Sequence, residues 1–127
     1  MQQRLEHTWT HSMKFTKGQI AYLGNTLHEV LHGFKVEDFY LALGSSRDAV
    51  ERLANVLEDH YIACRDRDFC ELHLSSTESL ILRNASMLCI ENLSSAEYQS
   101  RLGGPPEAAR RLMRQIESAE MVSALPR

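Results

Sequence analysis

The sequence has little that would point to a nucleic-acid-binding or membrane protein. Its 14 Lys and Arg residues are outnumbered by 17 Asp and Glu, which gives a formal net charge of -3. Because nucleic-acid-binding proteins ordinarily present a clustered basic face, this balance argues against a nucleic-acid partner. No segment approaches the roughly 18 apolar residues of a membrane span, and the N-terminus lacks the apolar stretch of about 7 to 15 residues found in secretion signals. We therefore expect a soluble, cytoplasmic protein without membrane association.

Cysteines and catalytic motifs are also scarce. The three cysteines, Cys64, Cys70 and Cys89, match neither a disulfide framework nor a C-x-x-C metal clip in their spacing, so we expect free thiols. The chain has no glycine-rich phosphate loop, no G-x-S-x-G nucleophile elbow and no cysteine with a patterned histidine partner. These absences weigh against an enzyme without deciding the matter, because active sites assembled from distant residues leave no local pattern.

The composition that is present is that of an ordinary globular protein. Hydrophobic residues make up 43% of the 127 positions and charged residues 24%, which is enough apolar material for one compact core. We expect a flexible N-terminal extension over residues 1–12, a single helical domain over 13–122 and a short tail over 123–127.

The sequence contains an internal duplication. A shift of 59 positions aligns residues 15–57 with residues 74–116 without a gap. The identical pairs are Leu23/Leu82, Asn25/Asn84, Leu43/Leu102, Gly44/Gly103, Ala49/Ala108, Arg52/Arg111 and Leu53/Leu112. Each copy is too small to bury much surface alone, so we expect the two repeats, joined by a linker over 58–73, to pack about a pseudo-two-fold axis. A chance similarity between amphipathic helices is the alternative.

Helix signals recur at equivalent positions of both copies. Thr16 with Gln19, and Ser75 with Glu78, have the spacing of a capping box, in which a hydroxyl and a longer polar side chain satisfy each other's backbone amides at a helix start. Gly33 and Asn92, seventeen residues after Thr16 and Ser75, are predicted to be left-handed helix C-caps, and an apolar residue follows each of them.

Two further helical segments follow in each copy. Short segments over 36–43 and 95–102 stop at Gly44 and Gly103, and the next helices open at Ser46 and at Pro105-Pro106. Each repeat is therefore predicted to be a unit of three helices in a mainly α domain. The alternation over residues 70–74, and the equivalent segment 11–15, also allow a short two-stranded β-ribbon.

The long helix of the second copy is apolar on two faces. Its second face carries Leu80, Ile81, Met87 and Leu88. Such a helix either runs through the middle of the fold or presents its second face to a partner, and both interpretations stay open. The two equivalent asparagines of the long helices, Asn25 and Asn84, are predicted to be structural, through hydrogen bonds across the pseudo-axis, rather than catalytic.

One five-residue motif points to metal chemistry. Residues His28 to His32 read H-E-x-x-H on a predicted helix, which resembles the zincin motif. In zincins, the two histidines bind zinc from one helix face and the glutamate acts as general base. Here His28 and His32 would be the metal ligands and Glu29 the base. The third ligand would come from Glu51, Glu58 or His60.

The same motif has features that argue against zinc. The metzincin continuation is missing after His32, and the second copy replaces the three motif residues by Met87, Leu88 and Glu91. The leading hypothesis is therefore a small non-enzymatic module without a cofactor that binds another protein, as an inhibitor, an immunity-type antagonist or an adaptor, and that can form a homodimer. The alternative is a minimal zinc-dependent hydrolase.

Overall fold

The structure is a computed structural model that describes residues 10–64 and 69–124, of which 122–124 are described in their backbone only. It is mainly helical, with 74% helix, six α-helices and one two-stranded antiparallel sheet in these residues, as predicted. Residues 1–9, most of the predicted extension, lie outside the described residues. So do 125–127 of the predicted tail.

The elements follow one another in the order strand, long helix, short helix, long helix, and then in that order again. They are β1 (Thr10–Phe15), α1 (Lys17–His28, continued by a π-helical turn over Glu29–Gly33), α2 (Phe39–Leu43), α3 (Arg47–Ala63), β2 (Cys70–Ser75), α4 (Ser76–Asn92), α5 (Ser95–Leu102) and α6 (Pro106–Ala124). The helix α3 runs six residues past the predicted repeat end at 57, and α6 passes the predicted domain end at 122.

The two strands form the predicted ribbon. They pair antiparallel from Thr10 opposite Ser75 to Phe15 opposite Cys70, and alternate residues of each strand are buried. The expectation that residues 10–12 belong to a flexible extension is wrong, because these residues hydrogen-bond within the ribbon and His11 is buried. Strand pairing over the core thus anchors the chain from Thr10, three residues before the predicted start of the domain at 13.

The predicted starts of the long helices are confirmed, whereas the short helix α2 begins at Phe39, three residues after the predicted start of its segment at 36. Thr16 with Gln19 and Ser75 with Glu78 both form complete capping boxes. The Ser46 hydroxyl accepts from the Ala49 amide at the start of α3. These starts could be predicted from the sequence because a capping box depends on residues only three positions apart.

The left-handed conformation predicted for the C-cap residues of α1 and α4 is wrong. Gly33 and Asn92 are not left-handed, since Gly44 and Gly103 are the positive-φ residues of the described chain, at 82° and 83°. The chain leaves α1 through the π turn, in which the Phe34 amide donates to the Glu29 carbonyl, and Phe34 is extended. The Asn92 side chain instead donates to the carbonyl one turn earlier in its own helix.

A disulfide corrects the expectation of free thiols for two of the three cysteines. Cys64 and Cys70 are joined, with their Cα atoms 5.9 Å apart. This separation is typical of disulfides and arises because α3 ends directly beside the start of β2. Cys89 is a free thiol in the core, and burial raises its pKa to about 12.

The centre of the fold is occupied by α4, which packs on α1, α2, α6 and β2. Its buried residues include Ile81, Leu82, Ala85 and Cys89. The two asparagines tie the halves together, since Asn25 donates to the Leu102 carbonyl at 3.4 Å and Asn84 to the Leu43 carbonyl at 3.2 Å. Both side chains therefore form hydrogen bonds of the kind predicted for a structural role.

Candidate functional site

A cleft of about 770 Å³ opens between α1, with its π turn, and α3. We call it the α1–α3 cleft. Its lining residues are Ile20, Ala21, Gly24, Asn25, His28, Leu31, His32, Glu51, Ala54, Asn55, Leu57, Glu58 and Tyr61.

Small residues create the cleft. On α1 the wall is Ala21 and Gly24, and on α3 it is Ala54, so the two helices meet with little side-chain volume between them. A Cβ atom added at Gly24 would meet no atom within 4 Å. The floor consists of apolar residues that also belong to the core, such as Ile20 and Leu57. The cleft is therefore a groove with an apolar floor and polar rims.

Both histidines of the H-E-x-x-H motif lie in this cleft. The rings of His28 and His32 are exposed and have their centroids 4.9 Å apart, tilted by 56°. Their common face arises because positions four residues apart lie on the same side of a helical segment. The predicted pairing of the two imidazoles is thus present.

The glutamate of the motif lies elsewhere. Glu29 does not line the cleft, and its carboxylate forms an ion pair with Arg101 of α5 at 3.2 Å. Arg101 also approaches Glu97 at 3.8 Å. A general base must be within hydrogen-bond reach of the water that it activates. In this arrangement Glu29 holds the π turn against α5 instead.

The predicted third metal ligands have other partners or stand apart. Glu51 forms an ion pair with Arg47 at 3.3 Å, and Arg47 also donates to the Leu31 carbonyl within the π turn. His60 interacts with a backbone carbonyl of its own helix and lines a different cavity. In residues 10–64 and 69–124, no three His, Cys, Asp or Glu side chains are grouped so that they could hold a metal ion.

A second candidate site is an exposed apolar surface on two neighbouring helices. Leu80 and Met87 of α4 are 38% and 44% exposed, and Tyr40 and Leu41 of α2 are 69% and 86% exposed. The helices meet at Gly44, the C-cap of α2, where an added Cβ would lie 2.9 Å from a Leu80 methyl carbon. We call these four side chains the α2–α4 surface.

The four residues predicted for an interface differ in their exposure to solvent. Leu80 and Met87 lie seven positions apart on one exposed stripe of α4. Ile81 is 1% exposed, so its assignment to the interface is wrong: its side chain is buried in the core. Leu88 is half-buried and packs against the core. The helix α4 is therefore central to the fold, and one stripe of it remains exposed.

Tyr40 and Leu41 were missed in the sequence. Their segment, Phe39–Leu43, is apolar at every position, and a short surface helix cannot bury all of its sides. Only Leu43 of this helix is fully buried. The uninterrupted apolar run was therefore the signal that could have predicted exposed apolar side chains here.

The buried polar groups of the described residues are structural in their geometry. The Tyr22 hydroxyl donates to the Pro105 carbonyl at 2.9 Å and lies 2.8 Å from the Tyr98 hydroxyl, which fastens α1 to α5 and to the start of α6. Burial raises the pKa of both phenols, so neither is prepared to lose a proton. His11 lies 3.1 Å from the Ser79 hydroxyl, and burial lowers its pKa.

Comparison with known proteins gave no match: no family model, no curated protein and no solved structure resembles this chain. Within the part of the chain that the structure describes, none of the helices has the length and apolarity needed to cross a membrane.

Proposed function

We propose that this protein is a non-enzymatic module that binds another protein through the α2–α4 surface. The observation that carries the proposal is the presence of four large apolar side chains exposed on two adjoining helices. Isolated surface leucines are ordinary, but a group of them on neighbouring elements is typical of an interaction site. Tyr40 adds an aromatic side chain of the kind that contributes most to binding energy.

The partner we propose is a different protein rather than a second copy. Obligate homodimers bury roughly 2,000 Å² or more through an interface that resembles a domain core. The α2–α4 surface has only partly exposed side chains on α4, flanked by polar residues such as Asn84 and Glu91. This composition suits a non-obligate complex of standard size, as an inhibitor, immunity-type or adaptor protein would form, and we place that complex in the cytoplasm.

The proposal includes a fold of two three-helix repeats related by a pseudo-two-fold axis. The ribbon register supports it, since Met13 pairs with Leu72, its equivalent at the 59-residue shift, near the middle of both strands. A two-fold axis through that pair exchanges the strands. The reciprocal hydrogen bonds of Asn25 and Asn84, each to the other half, follow the same symmetry.

The experiment starts from the protein used as bait, with candidate partners identified by mass spectrometry and then purified. We expect Leu80→Glu and Leu41→Glu to weaken the reconstituted complex at least tenfold, because each places a charge in an apolar contact. The control is Met121→Glu on α6, which is 70% exposed and should leave binding unchanged. Circular dichroism checks folding. Equal loss in the control, or a dimer of the chain alone that the same variants disrupt, would contradict the proposal.

The zinc-hydrolase alternative is favoured by one observation, the adjacent rings of His28 and His32 in the cleft. It requires a third ligand and a base near the metal, whereas Glu29 is engaged with Arg101. We expect well below one zinc per chain in protein freed of any purification tag, with no change in His28→Ala. Stoichiometric zinc that this variant loses would favour the hydrolase instead.

A further inference from the structure

An arginine side chain bridges the two long helices of the second half of the chain. Arg83 of α4 reaches across to α6, where its two terminal nitrogens lie 3.2 Å from a carboxylate oxygen of Glu117 and 3.2 Å from one of Glu120. The guanidinium thereby links the two helices. Such paired contacts suit the planar fork of arginine.

The first half presents the same helix pair without that arginine. At the 59-residue shift, Gly24 of α1 takes the position of Arg83, and Glu58 and Tyr61 of α3 take the positions of Glu117 and Glu120. The neighbouring residues support this correspondence in space. Each long helix places its asparagine, Asn25 or Asn84, directly after this position, and each asparagine donates to the end of the opposite short helix.

The α1–α3 cleft is therefore open where the second half has side chains. Three of its lining residues are smaller than their equivalents: Ala21 in place of Leu80, Gly24 in place of Arg83, and Ala54 in place of Met113. An added Cβ at Gly24 would meet no atom within 4 Å, so the cleft has room beside the position that aligns with Arg83.

One of the two carboxylates that bind Arg83 has an equivalent in the cleft, and an aromatic ring takes the place of the other. Glu58 lines it and is exposed, and no hydrogen bond or ion pair joins its carboxylate to another of the described residues. The ring of Tyr61 lies at the same end, and it already attracts a cation: the Lys17 ammonium is 4.6 Å from its centroid. The other carboxylate, Glu51, is engaged with Arg47.

We propose that the α1–α3 cleft binds the guanidinium group of an arginine side chain of the partner protein. The group would form an ion pair with Glu58 and stack on Tyr61, replacing Lys17 there, as arginine stacks on aromatic faces more readily than lysine does. Independent support comes from the second half of the same chain. There Glu117, the residue that aligns with Glu58, already forms an ion pair with the guanidinium of Arg83. The claim that the arginine belongs to a partner protein rests on the proposed function, whereas the claim that the cleft binds a guanidinium group does not.

The test uses the full chain and a small probe, Nα-acetyl-arginine amide, followed by ¹H–¹⁵N NMR. We expect saturable shifts confined to the cleft residues of α1 and α3, with a dissociation constant on the order of millimolar, as befits a few contacts. Nα-acetyl-lysine amide should bind at least threefold more weakly. Free arginine should bind no more tightly than the capped probe, because a side-chain site ignores the backbone charges. No saturable shifts in the cleft, or equal binding of the lysine probe, would overturn the proposal, and tighter binding of free arginine would replace the protein source by a small molecule.

Three variants complete the test. Glu58→Gln should abolish binding. Gly24→Arg should also abolish it, because the new side chain occupies the cleft from within as Arg83 does in the other half, while Gly24→Ala should retain binding as the matched control. Arg83→Gly should create a second set of saturable shifts on α4 and α6. Since Glu58→Gln changes an exposed side chain, binding unaffected by this variant overturns the proposal even if Arg83→Gly fails to fold.

Arginine binding by the cleft and protein binding by the α2–α4 surface can be tested separately. Leu80→Glu lies outside the cleft and should leave arginine binding intact while it weakens the protein complex. If the partner complex forms and Gly24→Arg does not weaken it, the arginine does not come from the partner, and the proposal is wrong in its source. If the probe binds but no partner complex depends on Leu80, the proposed function fails and the guanidinium site stands.

Discussion

The side-chain amide of Asn84 donates to the carbonyl of Leu43 at 3.2 Å, which joins the central helix α4 to the end of the short helix α2. Leu43 is followed by Gly44, the left-handed C-cap of α2. The bond satisfies one of the carbonyls that a helix end leaves without an intrahelical partner. It also fixes the position of α2 relative to α4, and hence the shape of the α2–α4 surface.

We expect Asn84→Ala to lower the free energy of unfolding by about 1 kcal/mol, because a half-buried hydrogen bond is lost and a carbonyl is left unsatisfied. Asn25→Ala should cost less, since its bond to Leu102 is longer, at 3.4 Å, and its side chain is exposed. Urea denaturation measures both. The control is Asn55→Ala on the exposed face of α3, and a loss there as large as in Asn84→Ala would contradict the assignment.

Substitutions at the two left-handed glycines should differ in cost. Gly44→Ala and Gly103→Ala both force a side chain into a positive-φ conformation, which costs about 1 to 2 kcal/mol. Only at Gly44 does the added Cβ also meet a neighbour, a Leu80 methyl carbon at 2.9 Å, whereas nothing lies within 4 Å at Gly103. We therefore expect Gly44→Ala to be the more destabilising in thermal unfolding. The double variant Gly44→Ala with Leu80→Ala should recover the difference, and equal costs in the single variants would contradict the close approach.

The buried His11 makes stability depend on pH. Burial lowers its pKa, and the carboxylates of Glu120 and Glu78 oppose this effect more weakly. Because the folded state binds the proton less readily than the unfolded chain, the contribution of the neutral ring is complete above the unfolded value of about 6.5 and is lost as pH falls toward the folded value.

We expect the free energy of unfolding to be lower at pH 5.5 than at pH 7.5, and His11→Leu to flatten this difference whatever its overall stability. Ser79→Ala removes only the hydrogen-bond partner of the ring and should keep the pH slope. Denaturant titrations at the two pH values provide the measurement. An unchanged slope in His11→Leu would show that other groups account for it.

The three cysteines should react differently. Because Cys64 and Cys70 are joined, the denatured but unreduced chain should take up one iodoacetamide label, at Cys89, and all three cysteines should be labelled after reduction. In the native state Cys89 should resist labelling, since burial raises its pKa to about 12 and the thiolate is the reactive form. Mass spectrometry counts the labels, and Cys89→Ser, which should take none before reduction, is the control.

Reduction of the disulfide should destabilise the fold by about 2 kcal/mol on the chain-entropy estimate for so short a loop. In a reducing cytoplasm the pair would stay reduced, whereas an oxidising compartment would keep it closed. Alkylation of the protein inside intact cells, before lysis, therefore tests the proposed cytoplasmic location. A fully closed bond in that sample would place the working protein elsewhere.

Local signals in the sequence determined the starts of the long helices and the ribbon. The capping boxes at Thr16 and Ser75 depend on side chains three residues apart, and the alternation of β2 depends on the period of a strand, so neighbouring residues carry the information. The hydrogen bonds of Asn25 and Asn84 were also predictable, because asparagine is an unfavourable residue in the middle of a helix and therefore suggests a side chain with a partner.

Only the tertiary structure decided which faces and pairs came together. Ile81 and Leu80 are adjacent and similar in character, and the packing of α4 alone determines that one is buried and the other exposed. The disulfide forms because the end of α3 lies beside β2. Glu29 does not line the cleft with the two histidines of its motif, because it forms an ion pair with Arg101 of α5. The α1–α3 cleft is lined by small residues of both helices, so it depends on side-chain volumes from two helices, which no local pattern records.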